Sequence, residues 1–323
     1  MHRIVPPERD GPPLLVRPLL ESDLDEADRV ARVAFGTFAG MQRPERFFGD
    51  AEWVRTRWRS DPSAALAAEI DGAVVGSTFA TAWGSVGFLG PVTVHPDHWG
   101  QSVATSLLRS TMDIFARLRT EHIGLFTFGD SPKHVALYQG FGFWPRFLTA
   151  VMRSPVAARA AGSGTVLSEC MRAERSSIMA AARSLTDAVH PGLDLSREIE
   201  TIALFSLGDT IVIDDGTGLA GLAVCHIGAG TEAGSGNCYI KFGAVRPGRA
   251  AHSRFVRLID ACRGLAAERG ASFMVAGVNA GRAEAWLALR GLGFRPQIQG
   301  VSMHRPNLPF YSTPGSFVID DWR

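Results

Sequence analysis

"VTVHPDHWGQSVATSLL", residues 92–108, passes from an apolar strand through a Pro turn into a small-residue loop and then the first turns of a helix. A helix start of this kind leaves backbone N–H groups unpaired at the positive end of the macrodipole, where an anion is readily held. Gly100, Ser102 and Ala104 keep side chains out of the way of such a ligand, and Ser102 and Thr105 add hydroxyl donors. An ordinary strand-to-helix turn, with small residues for packing, fits the same stretch.

The stretch has an echo farther along. "LGPVTVHP" (89–96) aligns with "IKFGAVRP" (240–247), and "GFGFWP" (140–145) with "GLGFRP" (291–296), both without gaps and both displaced by 151 residues. Two matches in one register imply a duplicated domain, 1–153 and 165–323, joined by a linker at 154–164. In each copy the hydrophobic periodicity gives the order β-α-α-β-β-β-α-β-α-β. The first copy has a strand at 14–19, a helix from about 21 to 35, a second helix at about 45–59 and strands at 64–70, 73–82 and 86–95. A helix at 100–119, a strand at 122–128, a short helix opening at Ser131-Pro132 and a strand after Gly142 complete it. The second copy has a strand near 165–171, helices near 174–189 and 194–206, and strands near 210–214, 218–227 and 238–245. A helix at 249–269, a strand at 272–278, a helix at 281–291 and a closing strand follow. The fold class is therefore α/β: two tandem domains, each with a central mixed sheet and helices on both faces.

Composition narrows the function. The 323 residues suffice for two domains, and 46% hydrophobic with 20% charged residues is the balance of a globular enzyme. A net charge of +1, with only Lys133 and Lys241 as lysines, gives no basic footprint for nucleic acid. The longest apolar runs, such as 218–230, are too short to span a bilayer, and the first residues lack the apolar core of a secretory signal. Cys170, Cys225, Cys238 and Cys262 have neither metal-ligand nor paired spacing, so the expectation is a cytoplasmic protein with buried thiols and no metal. The Pro-rich "VPPERDGPP" (5–13) is expected to be disordered.

The element order, "V-x-V-x-P-x-x-W-G-x-S-x-A" and "ALYQGFGF" (136–143) together resemble the GNAT superfamily of acyl-CoA N-acyltransferases. The resemblance implies acetyl-CoA, or another acyl-CoA, as co-substrate and a small-molecule amine as acceptor, handled by a monomer or homodimer. The family's Q/R-x-x-G-x-G/A loop falls on Trp99, Gly100, Gln101, Ser102, Val103 and Ala104, with Thr105 next, and its amides hold the pyrophosphate. Ser102 departs from the family's Gly and is read as part of the first helical turn, where it is unstrained. The preceding strand, Val92, Thr93 and Val94, is implied to meet the pantetheine arm through its backbone, the Val92 N–H polarising the thioester carbonyl. Ser131 stands where the family has an Asn that touches coenzyme A. Tyr138, four residues before Gly142, takes the position of the general acid.

The base is left open. The family's strand carboxylate position is Phe88, and 73–96 contains no Asp or Glu, so His134, Asp130, Asp97 and His98 are the nearby candidates, His134 also reading as a helix-surface residue and Asp130 as an N-cap. In the second copy Ala104 becomes Phe255 and Tyr138 becomes Leu289, implying lost chemistry and a structural or substrate-shaping role, with Tyr239 and Lys241 the only strand polar groups able to reach a shared cleft. Acceptor choice is expected from 35–50, where Phe35, Phe38, Phe47 and Phe48 with Arg43 and Arg46 suggest an apolar or anionic acceptor and Gly36 and Gly40 allow the loop to move. The leading expectation is acetyl transfer to the amine of a small molecule or aminoacyl-type metabolite. Alternatives are a non-catalytic acyl-CoA sensor and a thiol-biosynthesis acetyltransferase similar to the mycothiol synthases.

Overall fold

The computed structural model describes residues 13–157 and 162–323. Most of the 5–13 segment, and the middle of the 154–164 linker, lie outside the described residues. The first half runs β1 (Leu15–Pro18), α1 (Leu24–Phe38), α2 (Val54–Ser60), β2 (Ala65–Ile70), β3 (Ala73–Trp83), β4 (Val86–Val94), α3 (Val103–Arg117), β5 (His122–Thr127), α4 (Pro132–Gln139) and β6 (Trp144–Pro155). The second runs β7 (Thr165–Val166), α5 (Arg172–Val189), α6 (Ser196–Leu204), β8 (Gly208–Asp214), β9 (Leu219–Gly228), β10 (Gly234–Val245), α7 (Ala251–Glu268), β11 (Phe273–Asn279), α8 (Ala283–Gly291), β12 (Arg295–Arg305) and β13 (Val318–Ile319).

Alternation sorts the layers. On β2, Ala65 and Ala67 face the core under α1 and α2, whereas Leu66 and Ala68 face the core under α3. In α3, Val103, Leu107, Leu108, Thr111, Ile114 and Phe115 form one buried helical stripe. The second helix was expected at 45–59. Pro44 instead opens a single 3-10 turn, and only Val54–Ser60 is α-helical.

The two expected sheets are continuous: thirteen strands in the order β1-β2-β3-β4-β5-β12-β6-β11-β10-β9-β8-β7, with β13 added on β10. The two parallel pairs share a register. In the parallel pair β4·β5, Val86 lies opposite His122, and 151 residues on, in β10·β11, Asn237 lies opposite Phe273. The closing strands are exchanged: β12 is antiparallel to β5, and β6 is antiparallel to β11. They meet at the centre, where Arg295 pairs with Arg153 and His304 with Trp144. Each half thus completes its sheet with the other's last strand, and the backbone donors and acceptors of both are satisfied without a free edge at the centre.

Candidate active site

Strands β4 and β5 pair only as far as Phe88 and Gly124, so Leu89–Val94 and Leu125–Thr127 diverge. On the other side of β4, His95 N–H donates to Val75 O, and Thr93 pairs with Ser77. Strand alternation therefore turns the Val92 and Val94 amides away from β3, into the opening. The opening is a cavity of about 230 Å³. Val92, Thr93, Val94, Trp99, Ala104 and Tyr138 line it.

The loop at its mouth departs from the sequence reading in the backbone of Ser102. Gly100 has φ of +81°, with open space where a Cβ would stand. Ser102 is not in the first helical turn: it is the N-cap of α3 in the left-handed region, φ 63° and ψ 17°, with no side-chain capping bond. A non-Gly residue there carries strain of about 1–2 kcal/mol. Ser102 therefore keeps the conformation that favours glycine. Val103 is buried in the core, leaving its amide as the part able to meet a ligand. Gln101 donates from Nε2 to Asp97 O at 3.0 Å and braces the turn. Trp99 folds back, its Nε1 donating to Val94 O at 2.7 Å, while Lys133 sits over its ring. Ser131 begins α4 as its N-cap, and neither it nor Gly100, Gln101, Ser102, Val103 or Thr105 is in the cavity wall.

Residues 32–143 match the sequence model of the acetyltransferase (GNAT) family. These residues are a GNAT acetyltransferase domain. A Pyrococcus horikoshii protein named only provisionally as an acetyltransferase superposes with a TM-score of 0.67 at 13% identity, covering 99% of this chain and 98% of its own. A GCN5-related N-acetyltransferase from Sphaerobacter thermophilus gives 0.59 at 16%, covering 90% and 95%. At such identities the likeness is one of fold. The comparison with curated proteins returned no match.

In the GNAT domain, α4 lines the cavity with His134, Leu137 and Tyr138, of which the histidine and the tyrosine can carry protons. Burial pushes the Tyr138 phenol up to about 12, so it stays protonated throughout the ordinary pH range. One turn earlier His134, read from sequence as a helix-surface candidate, lines the cavity with its ring 5.0 Å from that of Phe38. Burial, aided by the Lys133 charge, holds this imidazole below its usual value and hence neutral at pH 7. Asp97, His98 and Asp130 are not in the wall.

The opposite wall is aromatic. Phe35, Phe38, Phe47 and Phe48 line it, but Arg43 and Arg46 do not. Gly36 is not a hinge: a Cβ there would overlap the Pro44 backbone, so glycine lets the loop pack on α1.

Two further wall residues, Trp322 and Arg323, are absent from the sequence reading. Phe126 N–H donates to Trp322 O at 3.2 Å inside the β4/β5 split, and a Cβ on Gly124 would overlap the Trp322 indole. Beneath lies a buried ion network. Arg57 pairs with Glu232 at 2.5 Å and also donates to Gly90 O at 3.1 Å and Arg323 O at 2.5 Å. Lys241 bridges Glu232 at 2.9 Å and Glu198 at 2.7 Å. Burial favours the neutral acid at Glu232, but Arg57 and Lys241 outweigh it and keep the carboxylate charged. Lys241 is thus committed to this network and Tyr239 to Asp321, at 3.0 Å. Neither is in the cavity wall, contrary to the sequence reading.

In the second half the corresponding opening between β10 and β11 is filled by the chain itself. β13 pairs with Gly243 and Ala244, and Phe317 packs on Phe255 with centroids 5.3 Å apart. Phe255 and Leu289 are wholly buried. No helix among the described residues is long and apolar enough to cross a membrane.

Proposed function

We propose that the first-half cavity transfers an acyl group from coenzyme A to the amine of a small molecule with an apolar body. The observation that carries this reading is the convergence of the Val92 amide edge, Ala104 and Tyr138 on one cavity beside the start of α3. The residues fit an acyl-CoA: Gly100 and Ala104 leave room for a phosphate to approach the first amides of α3. When bound, the thioester would supply an electrophilic carbonyl and a thiolate leaving group.

The chain's part is to orient and to move protons. The Val92 N–H is turned to meet charge developing on a carbonyl oxygen. Neutral His134 accepts the proton released as the amine nitrogen bonds to the carbonyl carbon, and Tyr138 Oη–H returns one to the sulfur as the C–S bond breaks. A division of labour between the halves, residues 1–153 and 165–323, is part of this proposal. The first half holds the chemistry; the second closes its own opening and sends Trp322 and Arg323 into the first.

Release of free thiol, screened over acyl-CoAs and amines, tests the reading. Tyr138→Phe is expected to lower kcat by about 10²- to 10⁴-fold while leaving coenzyme binding intact. Coenzyme binding without thiol release from any amine would point instead to a sensor.

A further inference from the structure

The cavity wall is mostly apolar, with four Phe side chains from residues 35–48, Trp53 and Trp322 prominent in it. No Asp or Glu stands in that wall. An acceptor with several ammonium groups would lose its hydration there and gain no counter-charge. The permanently charged side chain in the wall is that of Arg323, a cation.

That guanidinium is fixed from three sides. It lies over the rings of Trp53 and Tyr239, at 5.3 and 4.9 Å, and its Nε is 3.1 Å from Asp321 Oδ1. Asp321 is itself held by Tyr239 Oη and by the Arg323 backbone N–H. The side chain retains 19% exposure. A planar guanidinium held over two rings offers donors in the fork geometry that receives a carboxylate.

We propose that Arg323 anchors a carboxylate on the acceptor, so that the acceptor is an amino acid, or an amine built like one, with an aromatic or bulky aliphatic side chain. The apolar body fills the space among Phe35, Phe38, Phe47 and Phe48, the carboxylate meets the Arg323 fork, and the amine is left to face α4. A residue from the far end of the sequence thereby sets specificity for a site in the first half. The proposal rests on the acyl-transfer reading, but its central element is a binding preference that can be measured without turnover.

The test is calorimetric titration of the full chain with 3-phenylpropionate and with 3-phenylpropionamide, which share a body and differ in charge. The expected result is at least about 10-fold tighter binding of the acid, as for a charge-assisted pair in an apolar site. In Arg323→Gln the preference should fall to within about twofold, with coenzyme A binding unchanged. Equal binding of the two probes by the wild-type protein would overturn the proposal whether or not the variant folds. So would an Arg323→Gln protein that loses coenzyme A binding but keeps the preference, because the guanidinium would then serve the coenzyme. If the preference is present but no thiol is released with L-phenylalanine or 2-phenylethylamine, the anchor stands and the acyl-transfer reading fails. Thiol release equally fast with those two amines would leave acyl transfer standing and remove the anchor.

Discussion

Trp99 Nε1 donates to the carbonyl oxygen of Val94, 2.7 Å away, and so ties the loop before α3 to the strand that borders the cavity. The bulky residue among small ones is a strut: its indole braces the loop against the strand and lines the cavity, while Gly100 and Ala104 leave the approach to the α3 amides open. Trp99→Phe keeps the ring and deletes the bond. It should lower stability by about 1 kcal/mol, read from urea unfolding, and weaken acyl-CoA binding because the loop is no longer fixed to the strand.

Ser102 gives a prediction whose sign separates two geometries. In the left-handed region Ser102→Gly relieves about 1 kcal/mol of strain, partly offset by the greater freedom of glycine in the unfolded chain, so the variant should equal or exceed the wild type in stability. Ser102→Val should cost about 1–2 kcal/mol more, since a β-branched side chain tolerates positive φ poorly. A first-turn helical Ser102 would reverse the order, with glycine the destabilising change.

His134 makes the rate depend on pH. In the proposed reaction its neutral form accepts the proton, and burial favours that form, so the acid limb of kcat should fall below the ordinary imidazole value of about 6.5. Activity is then complete above that value and lost as pH drops through the depressed one. His134→Ala should remove this limb and slow the reaction by about 10²-fold or more, measured as thiol release from pH 4.5 to 9.

Arg57 couples the two halves below the cavity. Arg57→Met leaves Glu232 buried with Lys241 as its remaining cationic partner, and should destabilise by about 3–5 kcal/mol. The double variant Arg57→Met/Glu232→Leu should recover part of that loss, read as a rise in the urea midpoint over the single variant.

What the sequence revealed, and what it did not, follows from range. The strand, loop and helix at 92–108, the small residues there and Tyr138 are local signals, and the structure brings Val92, Ala104 and Tyr138 to one cavity. The exchange of β6 and β12 has no local signature, because both strands follow a short helix and a Gly-Phe turn and either sheet offers the same register. The pairing of Arg57 with Glu232 spans 175 residues, with nothing near either to announce it. β13 is two residues long, too short for a periodic pattern, yet it fills the second opening and directs Trp322 and Arg323 toward the first. The positive φ of Ser102 has no signature in residue type, because the loop geometry imposes it on a residue that a helix would also accept.

The central claim is that the small-residue loop of the first half forms the coenzyme site, and that the second half, with Phe255 in place of Ala104, has none. Calorimetric titration of acetyl-CoA into the wild-type chain and into Ala104→Phe tests it most directly. The account predicts one site per chain in the wild type and loss of binding in the variant. Two sites per chain, or undiminished binding by a folded Ala104→Phe protein, would contradict it.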